Sequence, residues 1–295
     1  LCQKKRRSDW SLRLEHEYLD SDSAFFITLT YDEANVPRTQ YGHHTLNKRD
    51  VQNYIKRLRN DHVKYVSKEL NIKKKYVKDH SKPIRYYAVG EYGTKTERPH
   101  YHILLFNYDI ANLSPISKQW KNTNYGNTLG HVDIGTVTGS SINYVTKYMF
   151  KDFDRKTDTR NPPFSLMSKK PIIGYNYIKT YGSWHTENED LTTADINGRV
   201  RRIPKAYLYK LWTKKEQVYN PDKKIYETKT VKDTEKIRLI SERSLDQYYQ
   251  DKVEKFEKTI DKHYNGQVYK FMASIEEDNA RKLNTINIKE TLWTK

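Results

Sequence analysis

With 295 residues, 36% apolar and 31% charged, the chain has enough material for one large domain, or one domain plus a smaller appendage, around a modest core. A net charge of +17 points to polyanionic partners, nucleic acid before an anionic membrane surface. No apolar run is long enough for a bilayer span, no signal-peptide pattern opens the chain, and the single cysteine, Cys2, excludes an internal disulfide framework. A soluble protein acting inside a cell, with no membrane partner, is the expectation.

Residues 1–20 read as a basic lead-in and a helix, with Trp10, Leu14 and Tyr18 on one face and Ser8 or Asp9 as its cap. Residues 24–31 (AFFITLTY) are the clearest strand: Phe25, Ile27 and Leu29 share one face, Phe26, Thr28 and Thr30 the other. A turn-rich loop leads to a helix over 47–66, where Val51, Tyr54, Ile55, Leu58 and His62 recur at helical spacing. Asn47 with Asp50 resembles a capping box. After a lysine-rich connector, 84–91 is a second strand, followed by a Gly-containing turn and a third strand ending at Phe106. Residues 112–121 form a short helix around Ile116 and Trp120, and 130–137 a fourth strand. Ser140 or Ser141 then caps the helix INYVTKYMFKDF, which runs to about Phe153.

This order, β-α-β-β-α-β and one more helix, predicts an α+β fold: a ferredoxin-like or RRM-like antiparallel sheet with helices on one face. The uncovered face carries Thr28, Thr30, Glu91, His100 and His102, and is polar and open for a ligand. Residues 1–20 are expected to stand as a basic N-terminal helix and 21–160 as the core. Residues 161–220 form an irregular basic segment packed on it, and 221–295 a helical C-terminal region. In that last region Leu245, Tyr249, Val253, Phe256 and Ile260 form one stripe.

Two stretches carry chemistry. Residues 90–106 (GEYGTKTERPHYHILLF) place His100 and His102 on one strand face, since they flank Tyr101. A register that sets Glu91 opposite His100 also sets Val89 opposite His102, bringing a carboxylate beside both imidazoles. Two histidines and a carboxylate make a divalent-metal site with open positions. An HxH pair alone is common by chance; the carboxylate in register is what raises it above that. Arg98, beside this strand, suits a phosphate contact, as do Thr28 and Thr30 on the same sheet face.

The second stretch is Tyr144, Lys147 and Tyr148, at i, i+3 and i+4 on one helical face. Tyrosines also pack on sheets, and this chain has 25 of them. The lysine between these two favours the phenolate and holds charge developing on a phosphate. Together with a metal on the scissile phosphate, these parts describe attack by tyrosine on a DNA phosphodiester, leaving a 5′-phosphotyrosine. A second tyrosine lets the roles exchange between cutting and rejoining.

In that order, FITLTYDE, GEYG…RPHYHILLF and YVTKYMFK resemble the motifs of HUH-superfamily replication initiators, specifically the type made by Microviridae single-stranded DNA phages of the gokushovirus branch. FSLMSKKPIIG resembles a segment downstream of the tyrosine helix in those initiators, with Ile172 where Gly is expected. The resemblance covers roughly residues 9–175. It implies that residues 21–160 are the endonuclease core, that Glu91, His100 and His102 bind Mg2+ or Mn2+, and that Tyr144 is the first nucleophile and Tyr148 the second. It further implies nicking and rejoining of single-stranded DNA at an origin, in the cytoplasm of a bacterial host, with a host helicase and polymerase as partners. No nucleotide-binding loop accompanies these motifs, so unwinding is not expected of this chain. A plasmid relaxase or transposase shares the chemistry; a non-catalytic RRM-like domain would want aromatics where His100 and His102 stand. A non-haem iron oxygenase uses two histidines and a carboxylate but leaves the tyrosines and the charge without a role.

Overall fold

The computed structural model describes residues 2–93, 96–109, 111, 114–148, 158–222, 224–270, 272–274 and 276–277. Helix α1 (Cys2–Asp20) leads into β1 (Ala24–Thr30), α2 (Lys48–Glu69), a 3-10 turn (Lys74–Tyr76) and α3 (Val77–His80). Next come β2 (Arg85–Tyr92), β3 (Pro99–Phe106), α4 (Ser114–Lys118), β4 (Val132–Thr136) and α5 (Gly139–Tyr148). Then follow β5 (Phe164–Met167), α6 (Tyr175–Asn188), β6 (Thr192–Ala194), β7 (Val200–Arg202) and α7 (Lys205–Leu211). Strands β8 (Thr213–Asn220) and β9 (Ile225–Lys232) and helix α8 (Thr234–Tyr264) complete the order. The fold is α+β, built on a five-stranded antiparallel sheet in the order β4-β1-β3-β2-β5.

Alternation along the strands creates two faces. Ile27 and Leu29 of β1 and Tyr101, Ile103 and Leu105 of β3 point to one, where Val51, Tyr54, Ile55 and Leu58 of α2 and Ile116 and Trp120 close the main core. Each such buried aliphatic side chain contributes about 1.5–3 kcal/mol. The cap of α2 departs from the expected box: Asn47 Oδ1 accepts from Arg49 N at 3.0 Å, while Asp50 accepts from the Tyr31 hydroxyl at 2.8 Å.

The opposite face, expected to be open, is half covered. Helices α1 and α5 bring Leu14, Ile142 and Val145 onto Tyr87, Val89, Leu104 and Phe106, with Phe26 alongside. The cause lies in each strand: on this face β1, β2 and β3 are apolar toward one end (Phe26; Tyr87 and Val89; Leu104 and Phe106) and polar toward the other (Thr28 and Thr30; Glu91; His100 and His102). The helical layer buries the apolar half and ends at the polar half.

Residues 161–220, expected to be irregular, instead supply β5 to the sheet and build α6, β6, β7, α7 and β8. Phe164 explains part of that docking: its ring would meet a Cβ at Gly90 at 2.8 Å, so glycine there lets β5 seat against the hairpin. Two compact units result, Leu1–Lys232 and Asp233–Lys295, so α1 and the segment after α5 belong with the core. The second unit starts at α8, which Asp233 caps through Lys236 N at 3.0 Å; the helix begins later than periodicity predicts because 225–232 pairs with β8. On the expected stripe Val253 is exposed, while the side chains of Leu245, Tyr249 and Phe256 lie outside the described residues, as does that of Cys2. Among the described residues no helix is long and apolar enough to cross a membrane.

A buried ion pair locks α1 to the sheet. Glu17 accepts from Arg85 and, through Oε2, from Gly174 N at 2.6 Å, and Arg85 also reaches Ile172 O at 2.9 Å. Both side chains are buried. Glu17→Ala is expected to lower stability by about 3–5 kcal/mol in urea unfolding, because it strands a desolvated guanidinium. A loss below about 1 kcal/mol would show that water reaches the pair.

Candidate active site

The β2–β3 hairpin has the expected register, with Glu91 opposite His100 and Val89 opposite His102, and β1 sets Thr28 opposite His102. His102 sits at the centre. Its Nε2 lies 3.1 Å from Glu91 Oε1 and its Nδ1 3.2 Å from Thr28 Oγ1, while Phe26 stacks on its ring at 5.7 Å. Glu91 and His102 are both buried, so the helical layer shelters rather than exposes them. Glu91 Oε2 is buried with no hydrogen-bond partner.

An unpaired carboxylate oxygen in that setting is costly unless something electropositive meets it. His100, half-buried, gives its Nδ1 to Arg98 O at 2.7 Å. A carbonyl accepts only, so that nitrogen carries the proton and Nε2 keeps its lone pair, the tautomer a metal needs. Among the described residues no three His, Cys, Asp or Glu side chains are already grouped to hold a metal ion. Glu91 and His102 touch, and His100 is the member not yet gathered to them. The donor set of one carboxylate and two imidazoles, with an orphaned oxygen and a preset tautomer, fits a divalent cation.

Above the sheet, α5 is capped by Thr138 rather than by Ser140 or Ser141. Thr138 Oγ1 accepts from Ser141 N at 3.2 Å, and Ser141 Oγ accepts from Thr138 N at 3.3 Å. Ile142, Val145 and Thr146 turn inward, leaving Tyr144 and Lys147 exposed. Tyr144 stands edge-on to the His102 ring, 5.1 Å between centroids, and 6.1 Å from Phe26, yet stays 40% exposed. Many other tyrosines are disqualified by burial: it pushes the phenols of Tyr31, Tyr54, Tyr87, Tyr101 and Tyr207 up, away from phenolate. The backbone of Tyr148 ends α5; its side chain, and residues 149–153, lie outside the described residues.

Thr28 therefore touches the site directly, whereas Thr30 serves the scaffold, its carbonyl accepting from Trp120 Nε1 at 2.9 Å. Arg98 is occupied: it pairs with Glu33, whose carboxyl it holds below the usual range, and donates to Tyr31 O at 3.0 Å. A phosphate at Arg98 must displace Glu33. Phe26, the platform under His102 and Tyr144, escaped the sequence reading, although its place two residues before Thr28 on the same face marked it.

The family model of replication-associated protein ORF2 matches residues 24–153. Those residues belong to the replication-associated ORF2 family. The family segment opens with β1 and takes in Glu91, His100, His102 and Tyr144, so the assembled site lies wholly inside it. Similar curated proteins come from small phages. Replication-associated protein VP4 of Bdellovibrio phage phiMH2K is 30% identical over 190 residues, covering 61% of this chain and 56% of that protein. Replication-associated protein ORF2 of Spiroplasma virus 4 is 26% identical, covering 70% and 63%. Replication-associated protein ORF4 of Chlamydia phage 1 is 27% identical, covering 61% and 44%. The matched region thus spans about half the length of these curated relatives. The hypothetical protein ORF119 of Sulfolobus islandicus rod-shaped virus 1 is a solved structure with 20% identity and a TM-score of 0.27, covering 50% of this chain and 96% of that one.

Proposed function

We propose that the chain initiates and terminates rolling-circle replication of a phage genome in its bacterial host, by nicking and rejoining single-stranded DNA through Tyr144. The observation that carries this reading is the orphaned Oε2 of buried Glu91 beside His102, with the exposed Tyr144 ring edge-on to the same imidazole. Glu91, His102 and His100 would hold Mg2+ or Mn2+. A bound divalent cation supplies charge neutralisation on the scissile phosphate.

The residues do the rest. Tyr144 Oη attacks phosphorus, the P–O3′ bond breaks, and a P–Oη bond forms. The phenol proton leaves to solvent and the departing O3′ takes one up, giving a free 3′-hydroxyl. Lys147, one turn along the same exposed face, favours the phenolate and the negative charge on the phosphate. The ester bond retains its energy, so attack by another 3′-hydroxyl reverses the step. Tyr148 is the second nucleophile in this scheme.

End-group analysis tests this. With labelled single-stranded origin DNA and Mg2+ or Mn2+, the upstream fragment should be extendable by a polymerase. The downstream 5′ end should resist phosphatase until protease removes the protein. A downstream 5′-phosphate open to phosphatase without protease would mean that water, not tyrosine, cut the strand.

A further inference from the structure

The edge of the sheet away from Glu91 carries a groove that the nicking chemistry does not use. It encloses about 1070 Å3 and is lined from α2, the 3-10 turn and α3, and from the β2–β5 edge. Lys74, Lys75 and Lys78 line it from one side and Lys169 and Lys170 from the other; all five are exposed. No Asp or Glu lines it. Lys82 and Arg85 also border it but are held by Asp22 and Glu17. Among the described residues the five lysines take part in no ion pair, so their charge is directed at whatever fills the groove.

The lining is more than a charged rim. Arg59 lies over the Tyr86 ring at 5.3 Å and is fixed there by Ile84 O and Ser168 Oγ, each at 3.2 Å. His62, buried, bonds Ser81 Oγ at 3.2 Å and keeps a buried Nδ1 without a partner. Cations on facing sides, a planar guanidinium–phenol stack and a free ring nitrogen are the features that hold a phosphate backbone with stackable bases. A uniformly basic wall without aromatics would suit any polyanion. The Arg59–Tyr86 stack favours a strand whose bases are unpaired.

We propose that this groove is a second track for single-stranded DNA, gripping the backbone at a distance from the nick. Tyr86 and Glu91 are five residues apart on β2 and on opposite faces, roughly 17 Å along the strand. One DNA strand passing around the β5 edge can engage both places, and the groove retains it when the 3′ end is released. This step rests on DNA being the substrate, but not on the nicking chemistry.

The test is equilibrium binding of fluorescein-labelled oligothymidylate in EDTA, using protein that carries Tyr144→Phe and Tyr148→Phe. Neither metal nor covalent capture then contributes. Lys74→Ala/Lys75→Ala/Lys78→Ala should weaken binding about 30- to 100-fold near 0.1 M salt and flatten the log–log salt slope by about 2. Lys169→Ala/Lys170→Ala, from the other side, should flatten it by about 1. The control Lys215→Ala/Lys229→Ala/Lys258→Ala removes equal charge elsewhere and should leave both quantities unchanged. Equal losses in groove and control variants would overturn the proposal. So would a groove variant that loses affinity for phosphatidylserine vesicles while binding oligothymidylate normally.

Discussion

Phenylalanine at both 144 and 148 is expected to reduce strand cleavage by on the order of 10⁴-fold or more, because no other group supplies the covalent intermediate. Tyr144→Phe alone should leave only what Tyr148 can rescue. The fold should barely notice: Tyr144 is 40% exposed, and losing a hydroxyl at such a site changes stability by about 0.5 kcal/mol or less. Phenylalanine also preserves the edge-on contact with His102 and Phe26. A large loss of cleavage with unchanged unfolding therefore isolates the nucleophile from packing. If the double variant cut at the native rate, the hydroxyls would be irrelevant and the helix merely structural.

His102→Ala is expected to cost about a thousandfold in cleavage, equivalent to about 4 kcal/mol of transition-state stabilisation. The same change strands Glu91 completely, since His102 is the partner of Oε1 and Oε2 already has none. Part of any loss could then reflect a loosened hairpin. Glu91→Gln separates the two, keeping shape while removing the charge that a cation requires. Titration calorimetry with Mn2+ should show affinity falling in both variants. Undiminished cleavage by His102→Ala in the presence of chelator would remove the metal from the account.

The chemistry of the hairpin was legible because strand geometry is rigid. A period of two places His100 and His102 together, and one pairing places Glu91 across from them. Tyr144 and Lys147 were legible for the same reason in helical terms. What sequence could not show was the burial around them. Helix α1 reads as a charged lead-in, yet Glu17 is buried, neutralised by an arginine on a distant strand and by Gly174 N. Nothing local to α1 announces a partner 68 residues away. Likewise β5 is four residues long, too short for alternation to stand out among prolines and lysines. The face over His102 was expected to be open because its polar residues were counted and its apolar half was not.

The groove and the hairpin together give the sheet two roles, one edge holding the strand and the other face cutting it. Both depend on the chain acting upon DNA through a tyrosine. The most direct measurement is to trap the reaction on single-stranded origin DNA with Mn2+, denature in SDS, digest with protease and sequence the DNA-linked peptide. The account predicts an SDS-stable adduct whose linked residue is Tyr144, with Tyr148 as the alternative. Cleaved DNA with no protein attached, or attachment at any other residue, would contradict it.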